Sequence, residues 1–144
     1  MVLGSLELTN FWSLPRARRA LVEAGAAGFP CVAFSRAGNQ RGSWDPRAWI
    51  GYWAIKEVLV CFPNLKTFLL EQVVEITTVE GGYMFHMMEA AFKELGFELS
   101  TFVVLGSEHG DGQARTRLVV LAEAKELLEA VGPVEPPRAS GFHV

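Results

Sequence analysis

Short apolar runs alternate along this chain with segments of helical spacing, and this alternation limits the accessible folds more than any other feature. The candidate helices span residues 13–25, 46–62, 81–96 and 123–132, and the candidate strands span residues 26–31, 66–74, 97–105 and 116–122. Such alternation predicts an α/β fold with a mainly parallel sheet and helices on both faces. Only a glycine-rich loop separates the last two strands, so we expect them to form a terminal antiparallel pair.

Composition fits one domain over residues 1–144, because half of the residues are hydrophobic and can form a core. The formal net charge of -3 argues mildly against an autonomous nucleic-acid binder. Two cysteines make no disulfide framework, and neither a secretion signal nor a membrane-spanning run is evident. We therefore expect a reduced, cytoplasmic protein without membrane association. Residues 133–144, with two adjacent prolines, are expected to form a loose tail.

Ligands of open α/β sheets bind beyond the carboxyl ends of the strands, and this rule selects three places in the sequence. The first is Cys31, which follows the first strand and opens a long loop over residues 32–46. The second is Glu71, near the end of the second strand. The third is the end of the last loop, which contributes Gln113, Arg115 and Arg117. Long ordered loops in compact domains are often functional.

Each of these signals also has an ordinary structural explanation. A lone cysteine is more often a small apolar residue of the core than a nucleophile. Glu71 would also fit a simple strand end, and the two arginines would fit a solvated strand face. The three histidines, His86, His109 and His143, lie too far apart in the sequence to suggest a metal site, so we expect none.

The order and spacing of several motifs resemble those of the DNA (cytosine-5)-methyltransferases over about residues 26–122. That family has Pro-Cys-Gln and Phe-Ser before a glycine-rich loop, then Glu-Asn-Val, Leu-Gly-Tyr and finally Gln-x-Arg-x-Arg. The matching segments here are Phe29-Pro30-Cys31-Val32-Ala33-Phe34-Ser35, Asp45-Pro46-Arg47, Glu71-Gln72-Val73, Leu95-Gly96-Phe97 and Gln113-Ala114-Arg115-Thr116-Arg117. The resemblance implies part of a Rossmann-like methyltransferase sheet and methyl transfer from S-adenosylmethionine to C5 of a flipped cytosine in DNA.

The resemblance also implies a role for each matched residue. The Cys31 thiolate would add to C6 of cytosine, while Glu71 would hold N3 and the exocyclic amine. Arg117 would hold the base carbonyl, and Arg115 a nearby phosphate. The remaining matched residues would touch the cofactor (Pro30) or the nucleic acid (Ser35 and Gln113).

The chain also departs from the family pattern. Val32 stands in place of the glutamine after the nucleophile, and Gln72 in place of the asparagine after the catalytic glutamate. No segment before Gly28 matches the family's glycine-rich donor turn, and we expect no target-recognition domain after Val120. We therefore expect a truncated or split enzyme. An unpaired strand edge would favour a homodimer or a complementary methyltransferase subunit. A non-catalytic binding or regulatory module, or an RNA cytosine methyltransferase-like protein, remains an alternative.

Overall fold

The computed structural model describes residues 10–106 and 115–135. The helices are α1 (Arg16–Arg19), α2 (Ala48–Cys61), α3 (Tyr83–Glu94) and α4 (Lys125–Val131). The strands are β1 (Ala24–Gly28), β2 (Thr67–Gln72), β3 (Phe97–Leu105) and β4 (Thr116–Ala124). Within the part of the chain that the structure describes, no helix is long and apolar enough to cross a membrane.

The four strands form one mixed sheet in the order β1-β2-β4-β3. β1 and β2 are parallel, whereas β4 is antiparallel to both of its neighbours. Three strands therefore run in one direction, and the predicted antiparallel pairing of the last two strands is confirmed. The sequence did not predict that β4 lies between β2 and β3. This insertion brings the start of β4 to the carboxyl end of β2.

Helices α2 and α3 pack against each other over the sheet face that carries Phe68 and Leu70. The Phe92 ring of α3 lies 6.0 Å from the Phe68 ring and 6.2 Å from the Phe97 ring, measured between centroids. A side chain at Gly51 of α2 would begin 2.9 Å from the Met88 terminal methyl. The glycine therefore allows the two helices to approach closely. These contacts place the core on one side of the sheet.

The predicted amino-terminal helix is largely wrong. The α-helix covers only Arg16–Arg19, and the chain is already a strand from Ala24 onward. The Glu23 carbonyl accepts hydrogen bonds from the amides of Lys66 (2.7 Å) and Thr67 (3.2 Å), and these bonds begin the parallel ladder with β2. Pairing across the sheet thus overrides the local helical preference. The predicted bounds of the other elements agree with the structure to within about two residues at each end, except that β1 ends at Gly28 rather than at residue 31.

Candidate active site

The sheet topology brings the predicted site residues to one edge. Gly28, the last residue of β1, pairs with Glu71 of β2, and Cys31 follows shortly after β1 ends. Because Gln72 of β2 pairs with Leu118 of β4, Arg117 lies beside the same strand end. The carboxyl ends of two parallel strands and the amino end of an antiparallel one therefore meet there.

Glu71 and Arg117 form an ion pair at this edge. Nε of Arg117 lies 2.8 Å from Oε1 of Glu71, with side chains that are 23% and 48% exposed. Nη1 of Arg117 also donates to the Thr116 carbonyl at 3.0 Å. The pair presents carboxylate oxygens and guanidinium donors side by side at a surface open to solvent. Such a surface suits a ligand whose edge carries both hydrogen-bond donors and acceptors.

Cys31 occupies a tight turn directly after β1. Its carbonyl accepts hydrogen bonds from the amides of Phe34 (2.9 Å) and Ser35 (2.8 Å). Ala33 and Phe34 are fully buried and anchor the turn, whereas the Cys31 thiol is half-buried and free. Pro30, also half-buried, joins β1 to the turn. Backbone hydrogen bonds therefore hold the turn that carries Cys31, and Cys31 itself is only partly buried.

The side chain of Gln72 links β2 to the segment that precedes this turn. Its side chain is only 3% exposed. Oε1 accepts from the Val73 amide at 2.9 Å, and Nε2 donates to the Phe29 carbonyl over a long 3.5 Å. The glutamine therefore contacts the backbone just before Pro30 and Cys31. Gln72 occupies the position where the family pattern has asparagine.

Asp45 organises the loop over residues 32–46, which we call the Cys31 loop. Asp45 is 3% exposed, and its carboxylate accepts hydrogen bonds from Nε (2.9 Å) and Nη2 (2.7 Å) of Arg47 and from the side-chain Nδ2 of Asn39 (2.8 Å). These hydrogen bonds hold the pKa of Asp45 well below its usual range. Asp45 belongs to a motif of the family resemblance, Asp45-Pro46-Arg47, but its hydrogen bonds within the loop were not predicted. A polar residue between turn-forming residues and a proline was the available signal.

The other predicted site residues make fewer contacts with the groups described above. Ser35 is half-buried in the Cys31 turn, and its backbone amide supports that turn. Arg115 is exposed just before β4, and its carbonyl accepts from the Gly106 amide at 2.9 Å. Gln113 lies outside the described residues. The structure therefore brings Glu71 and Arg117 into contact and places Cys31 and Arg115 at the same edge.

A family model and the related sequences both indicate methyltransferases. The profile of the C-5 cytosine-specific DNA methylases matches residues 22–140. The type II methyltransferase M.BanI of Aneurinibacillus aneurinilyticus is 35% identical over 95 residues, which are 66% of this chain and 22% of the relative. M.NgoBI of Neisseria gonorrhoeae is also 35% identical over 95 residues, or 29% of its length. The chain thus spans less than a third of these relatives.

Solved methyltransferase structures share the fold. An Entamoeba histolytica methyltransferase superposes with a TM-score of 0.62 at 15% identity, covering 84% of this chain and 37% of that one. A prophage-encoded DNA modification methyltransferase from E. coli gives a TM-score of 0.65 at 16% identity, covering 94% and 38%. The predicted partial Rossmann-like methyltransferase sheet is confirmed. Profile, relatives and fold agree, and the chain belongs to the C-5 cytosine-specific DNA methylase family.

Proposed function

We propose that this chain forms the nucleophile half of a cytosine-5 DNA methyltransferase, with Cys31 as the attacking group. The observation that carries the proposal is the 2.8 Å contact between Glu71 and Arg117 at the sheet edge reached by the Cys31 turn. A thiol, a carboxylate and a guanidinium at one edge are the groups that addition to a cytosine ring requires.

In the proposed reaction the Cys31 thiolate adds to C6 of a cytosine that has left the base stack. The new sulfur–carbon bond moves electron density to C5, which can then accept a methyl group. Water then takes the C5 hydrogen as a proton, its bonding electrons restore the C5–C6 double bond, and the C6–sulfur bond breaks with its electrons returning to the thiolate. No group is oxidised or reduced. Ser35 would contact a backbone phosphate while the Cys31 loop closes over the base.

Glu71 and Arg117 would bind the base in the same step. Glu71 would hold N3 and the exocyclic amine, and a proton at N3 would balance the charge created by addition at C6. The guanidinium of Arg117 would hold the base carbonyl. Arg115, exposed just before β4, would bind a neighbouring phosphate, together with Gln113. In the absence of DNA, the ion pair keeps both side chains near these positions.

Membership of the family implies S-adenosylmethionine as the methyl donor. When bound, this sulfonium compound supplies the electrophilic methyl group. Pro30, two residues after the exposed Gly28, is the residue of this chain that we assign to the donor site. Further donor contacts would come from a partner chain, either a second copy or a complementary subunit.

The free edge of β1 supports such a partner. Among residues 10–106 and 115–135, β1 pairs only with β2, so its other edge carries unpaired backbone groups. Its sequence, Ala-Gly-Ala-Ala-Gly, has no side chain larger than a methyl group. Another strand could therefore add to this edge without steric conflict.

The nucleophile can be tested without the donor. Addition of Cys31 to C6 makes C5 basic, so C5 takes up a proton from water and can lose its original hydrogen when the thiolate leaves. We expect the chain to release tritium from DNA containing [5-³H]cytosine. Cys31→Ser should abolish the release, whereas Cys61→Ala, which alters the other cysteine, should retain it. Absence of release from the wild-type chain at saturating DNA would overturn the proposal and favour a non-catalytic module.

The partner can be tested separately. Light scattering at micromolar concentration should give at least twice the monomer mass if β1 pairs with a second copy. Calorimetric titration with S-adenosylmethionine should then show saturable binding. A monomer that does not bind the donor would exclude the homodimer and direct the search to a complementary subunit.

A further inference from the structure

Two carboxylates of the connection between β2 and α3 reach across to the Cys31 loop. Oε2 of Glu80 accepts from the Ser43 amide at 2.6 Å, and Oε1 accepts from the Ser43 hydroxyl at 2.8 Å. At the other end of the loop, Arg36 lies 3.2 Å from Glu75. The Arg36 side chain is 87% exposed, so this second contact is weak. Glu80 is the stronger attachment because it binds two donors of one residue.

The loop is shaped to receive the Glu80 carboxylate. Gly42 has φ +56° and is buried directly against it, so any side chain at this position would overlap the Glu80 oxygen. On the opposite side, the Ser43 carbonyl accepts from Nε1 of Trp49 at 2.9 Å. The amide, hydroxyl and carbonyl of Ser43 are all held by residues from outside its own turn.

Backbone strain lies on both sides of this contact. Across the described residues, the non-glycine residues with positive φ are Gln40 (+49°) and Glu80 (+52°). Left-handed backbone is unfavourable for residues with a side chain and persists where surrounding contacts maintain it. Glu80 itself is exposed, so the core does not require its carboxylate. In this strained conformation the Glu80 carboxylate accepts both hydrogen bonds from Ser43.

We infer that Glu80 is a positioning residue that fastens the Cys31 loop to the β2–α3 connection and sets the balance between a docked and a released loop. The docked loop holds the turn that carries the thiol, and release allows the loop to move over a bound nucleotide. The inference relies on the proposed function only in taking Cys31 as the nucleophile.

Backbone hydrogen exchange measures this balance without any assay of activity. In Glu80→Gly, the Ser43 amide loses its acceptor, and we expect it to exchange at least tenfold faster. Amides in the middle of α2 and α3 should keep their wild-type rates. Glycine also removes the strain at this position, so the global unfolding midpoint should stay close to that of the wild type.

Two further variants complete the test. Glu80→Gln keeps one acceptor oxygen and should restore part of the protection of the Ser43 amide. Glu94→Ala removes an exposed acid of α3 that pairs weakly with Lys56, 3.8 Å away, and should change nothing in the loop. An unchanged Ser43 amide in Glu80→Gly would overturn the inference. Equal acceleration of all amides would overturn it too, because it would indicate a general structural role. Failure of tritium release would leave these results unaffected.

Discussion

Replacement of Gln72 by leucine should destabilise the protein although the two side chains have similar volumes. Leucine fills the buried space but cannot accept from the Val73 amide or donate to the Phe29 carbonyl. Both groups lie on buried residues, so water cannot readily replace the lost partner. The substitution therefore isolates the polar contribution of Gln72 from its packing.

The magnitude follows from the two contacts. The 2.9 Å bond from the Val73 amide has good geometry, and a buried donor left unpaired costs about 1–3 kcal/mol. The 3.5 Å contact with Phe29 is long and contributes little. We expect a loss of about 2 kcal/mol in the free energy of unfolding, or roughly 6 °C in melting temperature for a domain of this size.

Urea unfolding followed by circular dichroism measures this change. The midpoint should fall while the slope with denaturant stays constant, because the folded and unfolded surfaces are unchanged. Glu71→Gln is the matched control. Glu71 precedes Gln72 in β2, and its exposed side chain lies on the opposite face of the sheet. This substitution should change the free energy of unfolding by less than about 0.5 kcal/mol. Wild-type stability in Gln72→Leu would refute the reasoning and show that the buried amide contributes no net stabilisation.

The remaining predictions concern the charged groups. The folded pKa of Asp45 lies below its ordinary value of 3.8, so its contribution to stability is complete above about pH 4 and is lost as the pH falls further. Asp45→Asn should thus be less stable than the wild type at neutral pH, and the difference in urea midpoint should shrink towards pH 2; a constant difference would contradict this. For the partly exposed ion pair of Glu71 and Arg117, a double-mutant cycle with Glu71→Gln and Arg117→Gln should give a coupling of about 1 kcal/mol or less. A coupling above about 2 kcal/mol would mean that the pair serves stability rather than ligand binding.

Local periodicity was sufficient to predict most elements. Helix α3 and strand β3 show clear spacing of their apolar residues, and both lie where the sequence indicated. The apolar residues that form this pattern, such as Met84, Met88 and Phe97, are buried in the core. The amino-terminal segment has no such pattern. Its alanines and arginines favour a helix locally, while its pairing with β2 depends on residues more than forty positions away.

The chemical groups of the site could be predicted from the sequence alone: a cysteine after a proline, a glutamate at a strand end and two arginines at the start of another strand. Their order along the chain identified the family, because spacing between motifs is a property of sequence alone. The Glu71–Arg117 contact was decided by the insertion of β4 between β2 and β3, which no local pattern encodes.

Tertiary structure also decided how the Cys31 loop is held. Gln72 and Glu80 accept hydrogen bonds from the backbone amides of Val73 and Ser43, and such contacts leave almost no trace in residue type or periodicity. The contact of Glu80 with Ser43 and the pairing of β1 with β2 join segments that are far apart in the sequence. The sequence therefore specified which groups are present, and the packing of the folded chain specified which of them touch.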